Sequence, residues 1–178
     1  SPSCSSAIFV DIVPVRPKPG LRVATVAITN SEKFTLEAFN AVLREAGCEV
    51  TAIRDPQTDE VHDLVAQGRF DVVVTGFYFP SQFGWNTTRI HGPYSRCVMS
   101  GYPIAHPDTR PVWISFSNPH HLYELPFMDP YLVAYSGSPA SQRAAARALL
   151  GQIPIRGRIP AELDGFYRLG DGIQRPAE

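Results

Sequence analysis

With 178 residues, 44% of them hydrophobic and 19% charged, the chain is long enough to bury the core of one ordinary globular domain. Its formal net charge of -1 supplies no electrostatic footprint for nucleic acid, and no basic run interleaved with aromatic residues appears, so polyanionic partners are excluded. No apolar run approaches the roughly 20 residues that cross a bilayer, which excludes a membrane-spanning helix.

The first twenty residues, SPSCSSAIFVDIVPVRPKPG, hold four prolines and four serines. That composition suits an extended connector, with Ala7 to Val13 able to add an edge strand. The segment lacks the basic start and long apolar centre of a signal peptide, and with unpaired cysteines this favours a cytoplasmic location. Cys4, Cys48 and Cys97 are odd in number and far apart, which argues against a disulfide framework and against a zinc site.

The packed domain is expected over residues 21–178. Leu21 to Ile28 is apolar and β-branched and reads as the first central strand, closed by Thr29, Asn30 and Ser31. Leu36, Phe39, Val42 and Leu43 recur at helical spacing, and Cys48 to Ile53 follows as a second strand. Thr58 can open a second helix, with Val61, Leu64 and Val65 facing inward, and Phe70 to Thr75 supplies a third strand. After an irregular stretch with a helix around Thr88 to Ser100, Pro111 to Phe116 gives the fourth strand. Tyr131 to Tyr135 gives the fifth, read as buried on both faces.

The last helix is the best marked. Ser138 can accept a hydrogen bond from a first-turn amide, Pro139 fits the first helical position, and Gly151 can end the helix before Pro154. Ala145, Ala148 and Leu149 form the apolar stripe, with Gln142, Arg143 and Arg147 assigned to the solvent side. Apolar strands alternating with helices imply an α/β fold, a three-layer α/β/α sandwich with a mostly parallel sheet. Strand order is not legible from this pattern.

In such a sheet, ligands gather outside the carboxyl ends of the strands. Three loops are expected there: the aromatic Gly76-Phe77-Tyr78-Phe79 with Phe83 and Trp85, the polar Ser117-Asn118-Pro119-His120-His121, and Ser136-Gly137-Ser138. Tyr78, Phe79, Trp85, Asn118 and His120 are the candidate residues for a sugar cleft or for packing under another domain. The competing reading is that the aromatic rings only close the core.

Other chemistry lacks its residues. Adjacent His120 and His121 diverge on an extended chain and have no metal-ligand spacing around them, so no metal is expected. Neither GxGxxG nor GxxxxGK[ST] follows the first strand, which removes the usual phosphate loops, and no cofactor is expected. GxSxG is absent, and Cys97 lacks the small neighbours of a nucleophile elbow. A glycosidase needs two carboxylates about 5 to 10 Å apart. Asp55, Asp59, Glu60 and Asp63 instead cluster at a helix start, and Glu124 and Asp129 flank prolines without an evident partner.

The stretch SNPHHLYELPFMDPYLVAYSGSPASQRAAARALLGQIPIRGRIPAELDGFYRLGDGI, Ser117 to Ile173, resembles the end of the C-terminal domain of glycoside hydrolase family 3, in its bacterial β-N-acetylhexosaminidase branch. The matching pieces are the Ser117-Asn118-Pro119 turn, the helix segment of Ala134 to Pro154, the GRIP turn of Gly157 to Pro160 and the tail Gly165 to Gly172. Residues 21–116 agree in element order more than in motif, and residues 1–20 depart from the family's Leu-Leu-Pro-Leu junction.

The resemblance implies an accessory domain beside a TIM-barrel catalytic domain that carries the nucleophilic Asp and the acid/base His, acting on glycans that contain N-acetylglucosamine. It implies no catalytic residue here and no glycoside hydrolysis by this chain alone. A stand-alone carbohydrate-binding or protein-interaction module is the alternative.

Overall fold

Five strands run parallel in the order β2-β1-β3-β4-β5 in a computed structural model that describes residues 14–54, 58–81, 88–99, 101–102 and 105–177. The elements follow one another as β1 (Arg22–Thr29), α1 (Glu37–Glu45), β2 (Glu49–Arg54), α2 (Thr58–Ala66), β3 (Val72–Tyr78), α3 (Pro93–Met99), β4 (Arg110–Ser115), β5 (Tyr131–Val133) and α4 (Pro139–Leu149). The side chain of Cys97 and the whole of Cys4, Phe83 and Trp85 lie outside the described residues.

The three middle strands explain the layering. Alternate side chains of a strand point to opposite faces, so a strand without polar alternation must be covered twice. Val23, Ala27, Val72, Val74, Val112 and Ile114 pack on one side with Phe39, Val42 and Leu43 of α1 and Ala145, Ala146 and Leu149 of α4. Ala24, Val26, Ile28, Val73, Phe77 and Trp113 pack on the other side with Val61 and Val65 of α2 and Val98 of α3. The chain leaves β1 toward β2 and then crosses back to β3. With right-handed crossovers, that reversal puts α1 and α2 on opposite faces. The expected α/β/α sandwich is present, and its sheet is parallel throughout.

β3 runs further than its apolar run suggested. Gly76, Phe77 and Tyr78 pair with Ala27, Ile28 and Thr29 of β1 and so belong to the strand, not to the loop after it. The glycine is tolerated because Leu36 and Phe116 occupy the space its side chain would need, with nearest atoms 3.1 and 3.3 Å from a built Cβ. β5 departs from expectation in the other direction. It is three residues long and only partly buried, because it ends the sheet and has a single neighbour, β4. Its apolar residues line a groove of about 420 Å³ shared with Ala144, Ala145 and Ala148 of α4 and the C-terminal tail.

Before β1, Val15 is buried in the α1/α4 core and its amide donates to the Leu149 carbonyl at 2.7 Å. Arg22 donates to Asp71 from its backbone and its guanidinium, fastening the start of β1 beside β3. The guanidinium holds the Asp71 carboxyl below the usual carboxylate range.

α4 has the termini its residues predict. Ser138 accepts from the Ser141 amide, Pro139 opens the helix, and Gly151 follows it with φ 73°. Gln142 does not sit on the solvent side. It is buried and ties α4 to the start of α1: its Oε1 accepts from the Phe39 amide at 3.3 Å, and its Nε2 donates to the carbonyls of Thr35 at 2.8 Å and Gly137 at 3.0 Å. An amide with all these partners satisfied is compatible with a dry site. Gln142→Ala leaves backbone groups at a helix junction without partners, and it is expected to lower unfolding free energy by about 2 kcal/mol in urea titrations followed by tryptophan fluorescence.

Candidate functional site

The carboxyl ends of β3, β4 and β5 open onto one pocket of about 620 Å³, lined by Tyr78, Phe79, Ser117 and Asn118, and by Tyr135 to Ser138. Position follows from topology. Each parallel strand delivers its following loop to the same end of the sheet, and three consecutive neighbours place three loops side by side.

The middle loop is built around a hydroxyl. Ser115, fully buried at the end of β4, donates to the Asn118 carbonyl at 2.6 Å and accepts from the amides of Ser117 and Asn118. Asn118 then caps the 3-10 helix Pro119–Tyr123: its extended backbone turns the chain, and its Oδ1 accepts from the His120 amide at 2.9 Å. Tyr131 of β5 donates its hydroxyl to the same Asn118 carbonyl at 3.2 Å, and burial pushes that hydroxyl well above the usual phenol range. The loop is thus tied to both strands that flank it.

The short helix brings distant letters of the sequence together. His121 is buried, with its ring 5.6 Å from that of Phe77 and 5.7 Å from that of Phe79. Its Nε2 lies 3.3 Å from Ser117 Oγ and its Nδ1 lies 3.1 Å from Glu124 Oε2. Glu124 also pairs through Oε1 with Arg89 Nε at 3.0 Å and accepts from the Ile90 amide. The carboxylate therefore has partners that its proline-flanked setting did not suggest. A carboxylate oxygen only accepts, so Nδ1 carries the hydrogen, and in the neutral ring Nε2 is left as an acceptor for the Ser117 hydroxyl.

Of the residues expected at the rim, Tyr78, Phe79 and Asn118 line the pocket together. Phe79 is fully buried, however, enclosed by His91, Tyr94 and His121. Tyr78 is partly exposed, stacked on Phe34 with ring centroids 4.5 Å apart. His120 is exposed and lies against Tyr123, outside the pocket lining. Trp85 falls outside the described residues. Sequence reasoning passed over Ser117, His121 and Glu124 as a group, which the short 3-10 helix between Asn118 and Glu124 brings together. Among the described residues no cluster of three or more His, Cys, Asp or Glu side chains is placed to hold a metal ion.

No protein-family model and no curated protein matches the sequence. Solved structures do. A beta-glucoside phosphorylase, BglX, bound to 2FGlc matches with a TM-score of 0.67 and 24% identity over 86% of this chain and 28% of its own. The chain shares its fold with part of this protein and with part of two glycoside hydrolase family 3 enzymes. A fungal multi-domain GH3 beta-N-acetylglucosaminidase matches with a TM-score of 0.69 and 22% identity over 92% of this chain and 18% of its own. A glycoside hydrolase family 3 beta-N-acetylglucosaminidase from Paenibacillus sp. str. FPU-7 matches with a TM-score of 0.57 and 22% identity over 84% of this chain and 30% of its own. The chain spans less than a third of the length of each of these proteins.

Within this fold the pocket depends on one close approach. A Cβ on Gly137 would lie 2.7 Å from the Tyr78 ring, which is stacked on Phe34. Gly137→Ala is expected to break the Phe34–Tyr78 stack and cost about 1–3 kcal/mol, read as a lower denaturation midpoint with an altered near-ultraviolet dichroism of the aromatic residues.

Proposed function

We propose that the chain is an accessory α/β domain of a family 3 glycoside hydrolase of the β-N-acetylhexosaminidase kind, and that its rim pocket faces the sugar cleft of a TIM-barrel catalytic domain. The observation that carries this reading is the fold shared with much longer chains, of each of which this chain matches less than a third. The family resemblance of Ser117 to Ile173 supports the N-acetylhexosaminidase branch, and two of the three proteins named above are β-N-acetylglucosaminidases by description.

The rim suits that position. Tyr78 and Tyr135 offer ring area, on which a sugar can stack, beside the hydroxyls of Ser117, Ser136 and Ser138 and the amide of Asn118, which can pair with sugar hydroxyls. In this reading the nucleophilic carboxylate and the acid/base belong to the barrel, and the domain supplies contact surface.

Hydrolysis of a chromogenic N-acetylglucosaminide is the direct test. The chain alone is expected to give no turnover, and a family 3 barrel joined or added to it is expected to turn over faster than the barrel alone. Robust glycoside hydrolysis by the chain alone overturns the proposal. Saturable fluorescence changes with N-acetylglucosamine oligomers, with no effect on any barrel, favour a free-standing carbohydrate-binding module instead.

A further inference from the structure

We propose that Ser117, His121 and Glu124 act as nucleophile, base and orienting group for the hydrolysis of small carboxylic esters bound in the rim pocket. This activity is separate from glycoside hydrolysis and does not require the barrel.

The geometry meets the demands of such a site in turn. A serine hydroxyl is a weak nucleophile until a neighbouring base takes its proton, and the base must be held in one tautomer by a third group. Ser117 Oγ is 3.3 Å from His121 Nε2, the looser end of the range usual before substrate draws the pair together. His121 Nδ1 is 3.1 Å from Glu124 Oε2, which also accepts from the Ile90 amide, and the other carboxylate oxygen is held by Arg89. The imidazole cannot turn away, because it is 1% exposed and wedged against Phe77 and Phe79.

Only the serine opens onto the pocket: Ser117 is among the lining residues and His121 and Glu124 are not. Ser117 Oγ also accepts from the Phe79 amide at 3.3 Å, which fixes its position without using its proton. The loop Ser136-Gly137-Ser138 lines the same cavity and leads directly into α4.

The chemistry balances with water as the second substrate. Ser117 Oγ adds to the ester carbonyl carbon as its proton passes to His121 Nε2. The bond from that carbon to the alkoxy oxygen breaks, and the alcohol departs with the proton from Nε2. Water then gives a proton to Nε2 and adds to the acyl-serine, the acyl–Oγ bond breaks, and the carboxylic acid leaves with Ser117 reprotonated. The cavity, about 620 Å³ and lined by tyrosines and serines, fits a short acyl chain on a small hydroxylated alcohol such as an O-acylated monosaccharide.

A fluorophosphonate probe and 4-nitrophenyl acetate test this on the full chain. The unsubstituted protein is expected to carry the label on the peptide containing Ser117 and to hydrolyse the ester, and Ser117→Ala is expected to abolish both. Glu124→Gln, checked for a native melting profile, is expected to lower kcat about 10²–10⁴-fold with KM held, because it disturbs the base and not the pocket. Absence of label on Ser117 in the unsubstituted chain overturns the proposal, as does ester turnover that survives Ser117→Ala. Labelling needs no variant to fold, and either result leaves the glycosidase-domain reading standing because no glycoside enters the assay.

Discussion

Burial of β1, β3 and β4 on both faces is the constraint from which the rest follows. Val26, Val73 and Ile114 are almost wholly removed from water, so a polar group on either face of the central sheet carries a cost unless it finds a partner, and Thr25 Oγ1 bears that cost without one. Polar chemistry is pushed to the two ends of the strands, and parallel pairing sorts all the loops that follow a strand to the same end. Ser115 shows how sharp the boundary is. One residue beyond the apolar run of β4, a hydroxyl with no exposure is fully used, organising the turn that carries Ser117 and Asn118.

Most of the architecture was legible because the signals were local and repeated. The cap at Ser138, proline at the next position and glycine after Leu150 specify α4 by backbone chemistry alone, and the continuous apolar runs specify parallel strands. Three features escaped for identifiable reasons. Gln142 scores as solvent-facing on any hydropathy pattern, yet the start of α1 needs a donor and an acceptor at that place, and a side-chain amide supplies both. Gly76 interrupts the apolar run of β3, and only the closeness of Leu36 and Phe116 shows why the strand continues through it. The partial burial of β5 depends on strand order, which no single segment encodes.

The candidate site was legible in location and less so in composition. Rim loops were identified from strand ends, and Tyr78, Phe79 and Asn118 do meet there. Treating His120 and His121 as a pair hid the more informative relation, because a 3-10 helix turns the two imidazoles apart: one lies exposed against Tyr123 and the other enters the core. Glu124 looked unpartnered because Arg89 and Ile90, which meet it, lie more than thirty residues earlier in the chain.

The placement of His121 bears on what the aromatic content of the rim is for. Phe77, Phe79 and Trp113 fill the layer beneath the pocket, and Phe79 is too buried to stack on a ligand, so the ring area left to a sugar is that of Tyr78 and Tyr135. The buried rings have a different effect. They lower the polarity around the imidazole, and in a low-dielectric setting the His121–Glu124 hydrogen bond is stronger and its geometry more tightly defined than at an exposed surface. An aromatic layer that only closed the core would be served equally well by an apolar side chain at position 121. A buried imidazole with partners on both nitrogens carries a desolvation cost that packing alone does not require, and Ser117, the one member of the set that reaches the cavity, is where that arrangement meets solvent.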